Sequence, residues 1–294
     1  MNVLVTGGGG QVGRAIGLRT LRTANRALPL DHAHLDIGDA RAVRTQIGEF
    51  RADVVINCAA YTAVDRAETD RAAAFAANAE AAGTLAQTCA AAGVPLVHVS
   101  TDYVFDGTAT RPYREDAPLA PLGVYGASKA AGEAAVRAAH PAAIIVRTSW
   151  VFSHDQPSFV RTMVRLARAR PVLRVVDDQT GCPTFAKDLA DALLALAERT
   201  VRGDDLDGVY HACNAGPVTW CDFARAIVAE ARTHGPLACT DVVGITTAEY
   251  PTPAARPAYS VLDTTRLRGL GIALPPWQPG LQAAVRTLMA QVDP

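Results

Sequence analysis

Apolar residues fall into two kinds of run along the first half of the chain. Short, unbroken stretches of aliphatic and β-branched residues stand at 2–6 (NVLVT), 27–30, 53–57 (DVVIN), 95–99 (PLVHV) and 143–147 (AIIVR). Between them, longer stretches with helical spacing run over about 10–22, 40–50, 66–92 and 122–139. Gly93 stands where a left-handed residue would close the third of these helices. A strand that reads as continuously apolar, rather than alternating, is covered on both faces; helices separating such strands imply a parallel sheet. Right-handed crossovers then make the sheet doubly wound. The pattern predicts an α/β fold whose first domain, residues 1–150, is a doubly wound, Rossmann-type parallel sheet.

Beyond residue 150 the alternation weakens. Helical spacing recurs at 157–170, 185–199, 220–234 and 279–291, with short strands at 172–176, 208–211 and 241–243 and loops rich in Pro, Gly and Asp. Thr219 is placed to cap the helix opening at Trp220, and Asp222 suits its positive end. Residues 151–294 therefore read as a smaller mixed α/β lobe for substrate binding. The boundary is soft, since 152–170 could cross back onto the sheet.

Composition narrows the class. Lys+Arg total 28 against Asp+Glu 29, so no charge excess draws the chain to nucleic acid. No apolar run reaches the ~18 residues of a membrane span. The opening MNVLVTGGGG lacks a charged leader and reads as mature structure. Six cysteines, none in C-x-x-C, are expected as free, buried thiols of a cytoplasmic protein. The histidines show no metal-ligand spacing, and no metal is expected.

Chemistry enters at the first strand–helix junction, VTGGGGQVGR. Gly8, Gly10 and Gly13 fit G-x-G-x-x-G; Gly7, Gly10 and Gly13 fit G-x-x-G-x-x-G, and both readings are open. In either, glycines permit a tight turn, close approach to a pyrophosphate and close helix packing, while the helix N-terminus faces the phosphates. Asp31 ends the second strand 18 residues after Gly13, near the ~20 expected of an acid on the adenosine ribose. A carboxylate there favours NADH; Arg14 and Arg26 offer a cation that would favour NADPH, and the choice stays open.

Tyr125 and Lys129 form Y-x-x-x-K, which places phenol and ammonium on one helical face. A lysine cation is expected to lower the phenol's pKa toward neutrality, making it a proton donor to a carbonyl as hydride arrives on carbon. Ser100, Thr101 and Asp102 follow the fourth strand, and strand ends of such sheets face the ligand crevice. A hydroxyl there can bond the carbonyl oxygen.

Taken in order, GGGGQVG, NCAAYTAVDRAE, STDYVFDG, VYGASKAAGE, RTSWVF, DDQTGCPT and YPTPAARP resemble the dTDP-4-dehydrorhamnose reductase family of extended short-chain dehydrogenases over nearly the whole chain. The resemblance implies hydride transfer from NADPH or NADH to C4 of a dTDP-linked 4-keto-6-deoxyhexose, giving dTDP-L-rhamnose. It implies Tyr125 as proton donor, Lys129 as its partner and Thr101 at the ketone. It places Gly10, Gln11, Val12, Asp31, Asp36, Ile37, Ala60, Tyr61 and Thr62 at the cofactor, and Thr101, Asp102 and Trp150 at the nucleotide sugar. A dTDP substrate brings a pyrophosphate, for which Arg256 is a candidate bidentate partner. Trp150 suits stacking on the sugar or burial in the core. Some members carry a glutamate two residues after the last glycine that helps hold magnesium between subunits; Ala15 stands there, so a monomer or weak homodimer is expected. The competing readings are a sugar-nucleotide epimerase or dehydratase, a related deoxysugar 4-ketoreductase, and a non-catalytic NAD(P)-binding regulatory subunit.

Overall fold

The computed structural model describes residues 1–291; the last three residues of the expected lobe lie outside it. Six parallel strands form the main sheet. Five are β1 (Asn2–Thr6), β2 (Arg26–Leu30), β3 (Val54–Asn57), β4 (Leu96–Thr101) and β5 (Ile144–Thr148), and the sixth is Gly208–His211. Their spatial order is β2-β1-β3-β4-β5 and then Gly208–His211. The order reverses between β1 and β3, so a crevice opens beyond the carboxyl ends of these strands.

Successive side chains of each strand serve opposite faces. Val3, Val5, Val54, Ile56, Val97, Ile144 and Val146 pack with Ile16 and with Leu189 and Leu193 of the helix Ala186–Val201. Leu4, Val55, Leu96 and Ile145 face the other way, onto Val43, Ile47, Leu85 and Val136. Each fully buried aliphatic side chain is worth roughly 1.5–3 kcal/mol, which explains why the interiors of these strands are largely aliphatic.

The expected helix over 66–92 is interrupted. A short helix Val64–Ala67 precedes a break, a helix Arg71–Phe75 runs into a π-turn at Ala76–Glu80, and Ala81–Ala92 completes it. Gly93 caps it with φ 65°. The break and the π-turn carry Glu68 and Asn78, whose side chains bond to Val124 N and to Tyr61 and Ser128.

The strand that rejoins the sheet is Gly208–His211, preceded by the returning helix Ala186–Val201. Phe159–Ala169 instead packs in the lobe, with Trp220–Arg232 and Trp277–Ala290, around Phe152, Val160, Phe223, Ile227, Trp277 and Leu281. Val172–Val176 pairs in parallel with Asp241–Ile245 there. Thr219 does cap its helix, its Oγ1 accepting from Asp222 N at 3.1 Å.

Candidate active site

The phosphate-binding turn leaves β1 through Gly7, whose φ of 68° is left-handed. A Cβ there would lie 2.5 Å from the Cys58 backbone, and one on Gly13 would lie 2.5 Å from Gly7 O. These glycines are required by the protein itself. A Cβ on Gly10 meets only Gly7 O, at 3.4 Å; Gly10 therefore leaves room above the turn. The helix α1 (Gln11–Thr20) starts there without a side-chain cap, its amides facing the crevice. Gln11 Oε1 is buried and unpartnered. A cradle of glycines and uncapped amides fits a pyrophosphate.

Around this turn the other expected cofactor residues are placed as follows. Val12 packs on the core beneath α1. Asp31 is half-exposed under Gly9; its Oδ1 meets His34 Nδ1 at 2.6 Å and accepts from Ala33 N and His34 N. Its bonds to His34 hold its carboxyl below the usual range, so it is ionised at neutral pH. Asp36 closes the turn to Gly38 N at 2.8 Å, and Ile37 is buried. Ala60, Tyr61 and Thr62 form the loop after β3. Asn78, in the π-turn, accepts from Tyr61 N and donates to Tyr61 O and to Ser128 Oγ. Ser128 Oγ in turn donates to Tyr125 O at 2.7 Å. Asn78 thus ties that loop to the helix bearing Tyr125 and Lys129, a role hidden inside an alanine-rich helical stretch.

That helix, Val124–Ala139, lies beside β4. Tyr125 is half-buried, with its phenol end enclosed, and packs edge-on to Tyr103 with ring centroids 5.7 Å apart. Thr101 Oγ1 donates to Asp102 Oδ1 at 3.0 Å and accepts from Tyr103 N. Asp102 is buried with its Oδ2 unpartnered. Burial raises its pKa to about 6 against the opposing bonds from Ser260 and Thr101.

The electrostatics differ from the sequence expectation. Burial pushes the Tyr125 phenol up to about 12; Thr101 opposes this and the Asp102 charge adds to it. Lys129 does not draw it down. Its Nζ donates to Val99 O at 2.7 Å, and burial lowers the ammonium to about 8, with Glu133 opposing. Glu133 is itself claimed by Arg147 through two bonds of 2.9 and 2.7 Å and by Ser100 Oγ at 2.6 Å. The phenol is therefore held protonated, and the lysine is anchored to the strand.

Trp150, just beyond β5, has the left-handed φ of 47°. Its indole stacks on Trp220 with centroids 3.5 Å apart and planes at 7°. Arg256 is half-buried and donates through NH1 and NH2 to Asp65 at 3.0 and 2.9 Å, and through NH1 also to Ala254 O. Those are the donors the sequence reading offers to a pyrophosphate.

A doubly wound sheet, a glycine cradle on β1 and a Tyr–Lys helix beside β4 define a member of the short-chain dehydrogenase/reductase class. The family model described as RmlD substrate binding domain matches residues 1–290. A dTDP-4-dehydrorhamnose reductase of Burkholderia thailandensis is 43% identical over 299 residues, covering 99% of this chain and all of that protein. The crystal structure of a dTDP-4-dehydrorhamnose reductase from Clostridium acetobutylicum superposes with a TM-score of 0.89 at 36% identity, covering 98% of this chain and 99% of that one. A second, from Bacillus anthracis in complex with NADP, gives 0.87 at 36% identity over 96% and 97% of the two chains. The chain belongs to the dTDP-4-dehydrorhamnose reductase family.

Proposed function

We propose that the protein reduces the C4 ketone of dTDP-4-dehydro-L-rhamnose to dTDP-L-rhamnose, using NADPH or NADH, with Tyr125 as the proton donor. The observation that carries this is the placement of Tyr125, in the first turn of the helix Val124–Ala139, and Thr101, at the carboxyl end of β4, on two elements that pack against each other. The cradle of Gly7, Gly10, Gln11, Val12 and Gly13 would hold the cofactor pyrophosphate, Asp31 its ribose, and Asp36, Ile37, Ala60, Tyr61 and Thr62 its flanks. Bound there, the cofactor supplies a hydride.

What the chain supplies is the proton and its placement. With its pKa near 12, the phenol keeps its proton at neutral pH and surrenders it only to a stronger base, such as the alkoxide that forms when the ketone carbon is reduced. Thr101, whose single proton goes to Asp102 Oδ1 in this structure, steadies the same oxygen by turning that proton from Asp102 to it. Asp102 Oδ2, buried and unpaired, is a ready acceptor for a sugar hydroxyl, and Trp150 supplies an apolar wall. Lys129 holds its charge behind the tyrosine. The reading describes a cytoplasmic enzyme acting as a monomer or weak homodimer; among the described residues no helix is long and apolar enough to cross a membrane.

The test is incubation with dTDP-4-dehydro-L-rhamnose and reduced cofactor, with the product identified by NMR. The expected result is stoichiometric cofactor oxidation and the L-rhamno product. A C4 epimer as product, or sugar interconversion with cofactor retained through purification and no net oxidation, would overturn it.

A further inference from the structure

We infer that Glu68 is a positioning residue for Tyr125, acting as a remote cap on the helix that carries it; this rests on the reading of Tyr125 as proton donor. The helix Val124–Ala139 starts at Gly123, which has no side chain to satisfy the exposed amides of the first turn. Glu68 Oε1 accepts from Val124 N at 2.8 Å, across 56 residues of sequence. Val124 immediately precedes Tyr125, so this bond fixes the turn from which the phenol projects. A carboxylate at the positive end of a helix is also electrostatically favoured.

Gly123 bears on the same contact. Its φ of −136° is open to any residue, so backbone freedom does not explain a glycine there. A Cβ would lie 2.7 Å from Glu68 Oε1, the movable end of that side chain, so a larger residue would push the carboxylate off its place. The notch left by the missing side chain is filled by the carboxylate. Glu68 is in turn held in place from the lobe. Asp65, in the short helix Val64–Ala67 just before it, takes the bidentate bond from Arg256 and a further bond from Ala254 N at 3.2 Å. A continuous set of contacts thus runs from the lobe loop around Arg256, through 65–68, to the start of the catalytic helix. Glu68 is the C-cap of that short helix, and from there its side chain reaches Val124 N.

Glu68→Ala, Glu68→Gln and Gly123→Ala test this, read by steady-state kinetics and by hydrogen exchange of the peptide covering 122–128. For Glu68→Ala, kcat falls at least ~10-fold, as expected of a displaced proton donor, with the cofactor KM within about twofold of wild type. Exchange in the first helical turn accelerates. Glu68→Gln keeps an acceptor oxygen and recovers kcat to within about threefold of wild type, with slow exchange restored. Gly123→Ala reproduces the Glu68→Ala behaviour by collision. If Glu68→Ala fails to fold, Glu68→Asp, which retains the charge but withdraws the oxygen, shows the same loss. Wild-type kcat and exchange in Glu68→Ala, a loss confined to KM, or a Gln variant as impaired as the Ala one would each overturn the proposal. An inactive wild type would instead overturn the reductase reading, and the exchange comparison would still decide whether Glu68 caps the helix.

Discussion

Lys129 Nζ donates to the main-chain oxygen of Val99 at 2.7 Å, inside the protein. Because burial lowers this ammonium to about 8, the unfolded chain binds the proton more tightly than the folded one. Between pH ~8 and ~10.4 the unfolded state therefore holds more protons, and stability rises with pH across that window. Below it the full cost, roughly 3 kcal/mol, is present. Lys129→Met is expected to stabilise the protein at neutral pH by about 1–3 kcal/mol, less than the full cost because Val99 O loses a donor. Chemical denaturation from neutral to high pH checks this: the gain shrinks as pH rises. A variant less stable than wild type at neutral pH would contradict it.

Asp102 presents the opposite case. Its folded pKa of about 6 exceeds the ~3.9 of an unfolded aspartate. The folded state holds more protons between these values, so the group's stabilising contribution is complete below pH ~4 and lost as pH climbs through 6. Asp102→Asn, a neutral isostere, should raise the melting temperature at neutral pH and leave it nearly unchanged below pH ~4. An equal shift at both pH values would mean that the carboxyl is not paying for burial as a charge.

Gly181 lies against Trp150 so closely that a Cβ would sit 2.5 Å from the indole Cε2. Gly181→Ala must move the indole off its stack on Trp220, away from a backbone geometry already strained at φ 47°. If Trp150 lines the nucleotide-sugar subsite, the KM for the sugar nucleotide rises at least ~10-fold while that for the cofactor is unchanged. An unaltered sugar KM would remove Trp150 from the subsite.

Much of the frame was readable from local pattern. Strands such as Val54–Asn57 are buried on both faces and hence uniformly apolar, and the glycine turn must sit where β1 meets its helix. What escaped were long-range pairings. Asp65 and Glu68 are ordinary polar residues in sequence, and their partners Arg256 and Val124 lie 191 and 56 residues away. Arg256 looked like a free cation because nothing near it in sequence announces Asp65. The expected helix over 66–92 is broken around Glu68 and Asn78, whose side chains serve other elements. Likewise, Y-x-x-x-K spacing puts Lys129 on the face of Tyr125 but says nothing about burial, which drives the phenol upward and anchors the ammonium on Val99.

The central claim is that the Tyr125 phenol gives the proton. Its most direct test is Tyr125→Phe, measured for cofactor binding by fluorescence titration and for turnover of dTDP-4-dehydro-L-rhamnose under the same conditions. The account predicts a cofactor Kd within about threefold of wild type and a kcat reduced at least ~100-fold. A phenylalanine variant that reduces the ketone at the wild-type rate would contradict it.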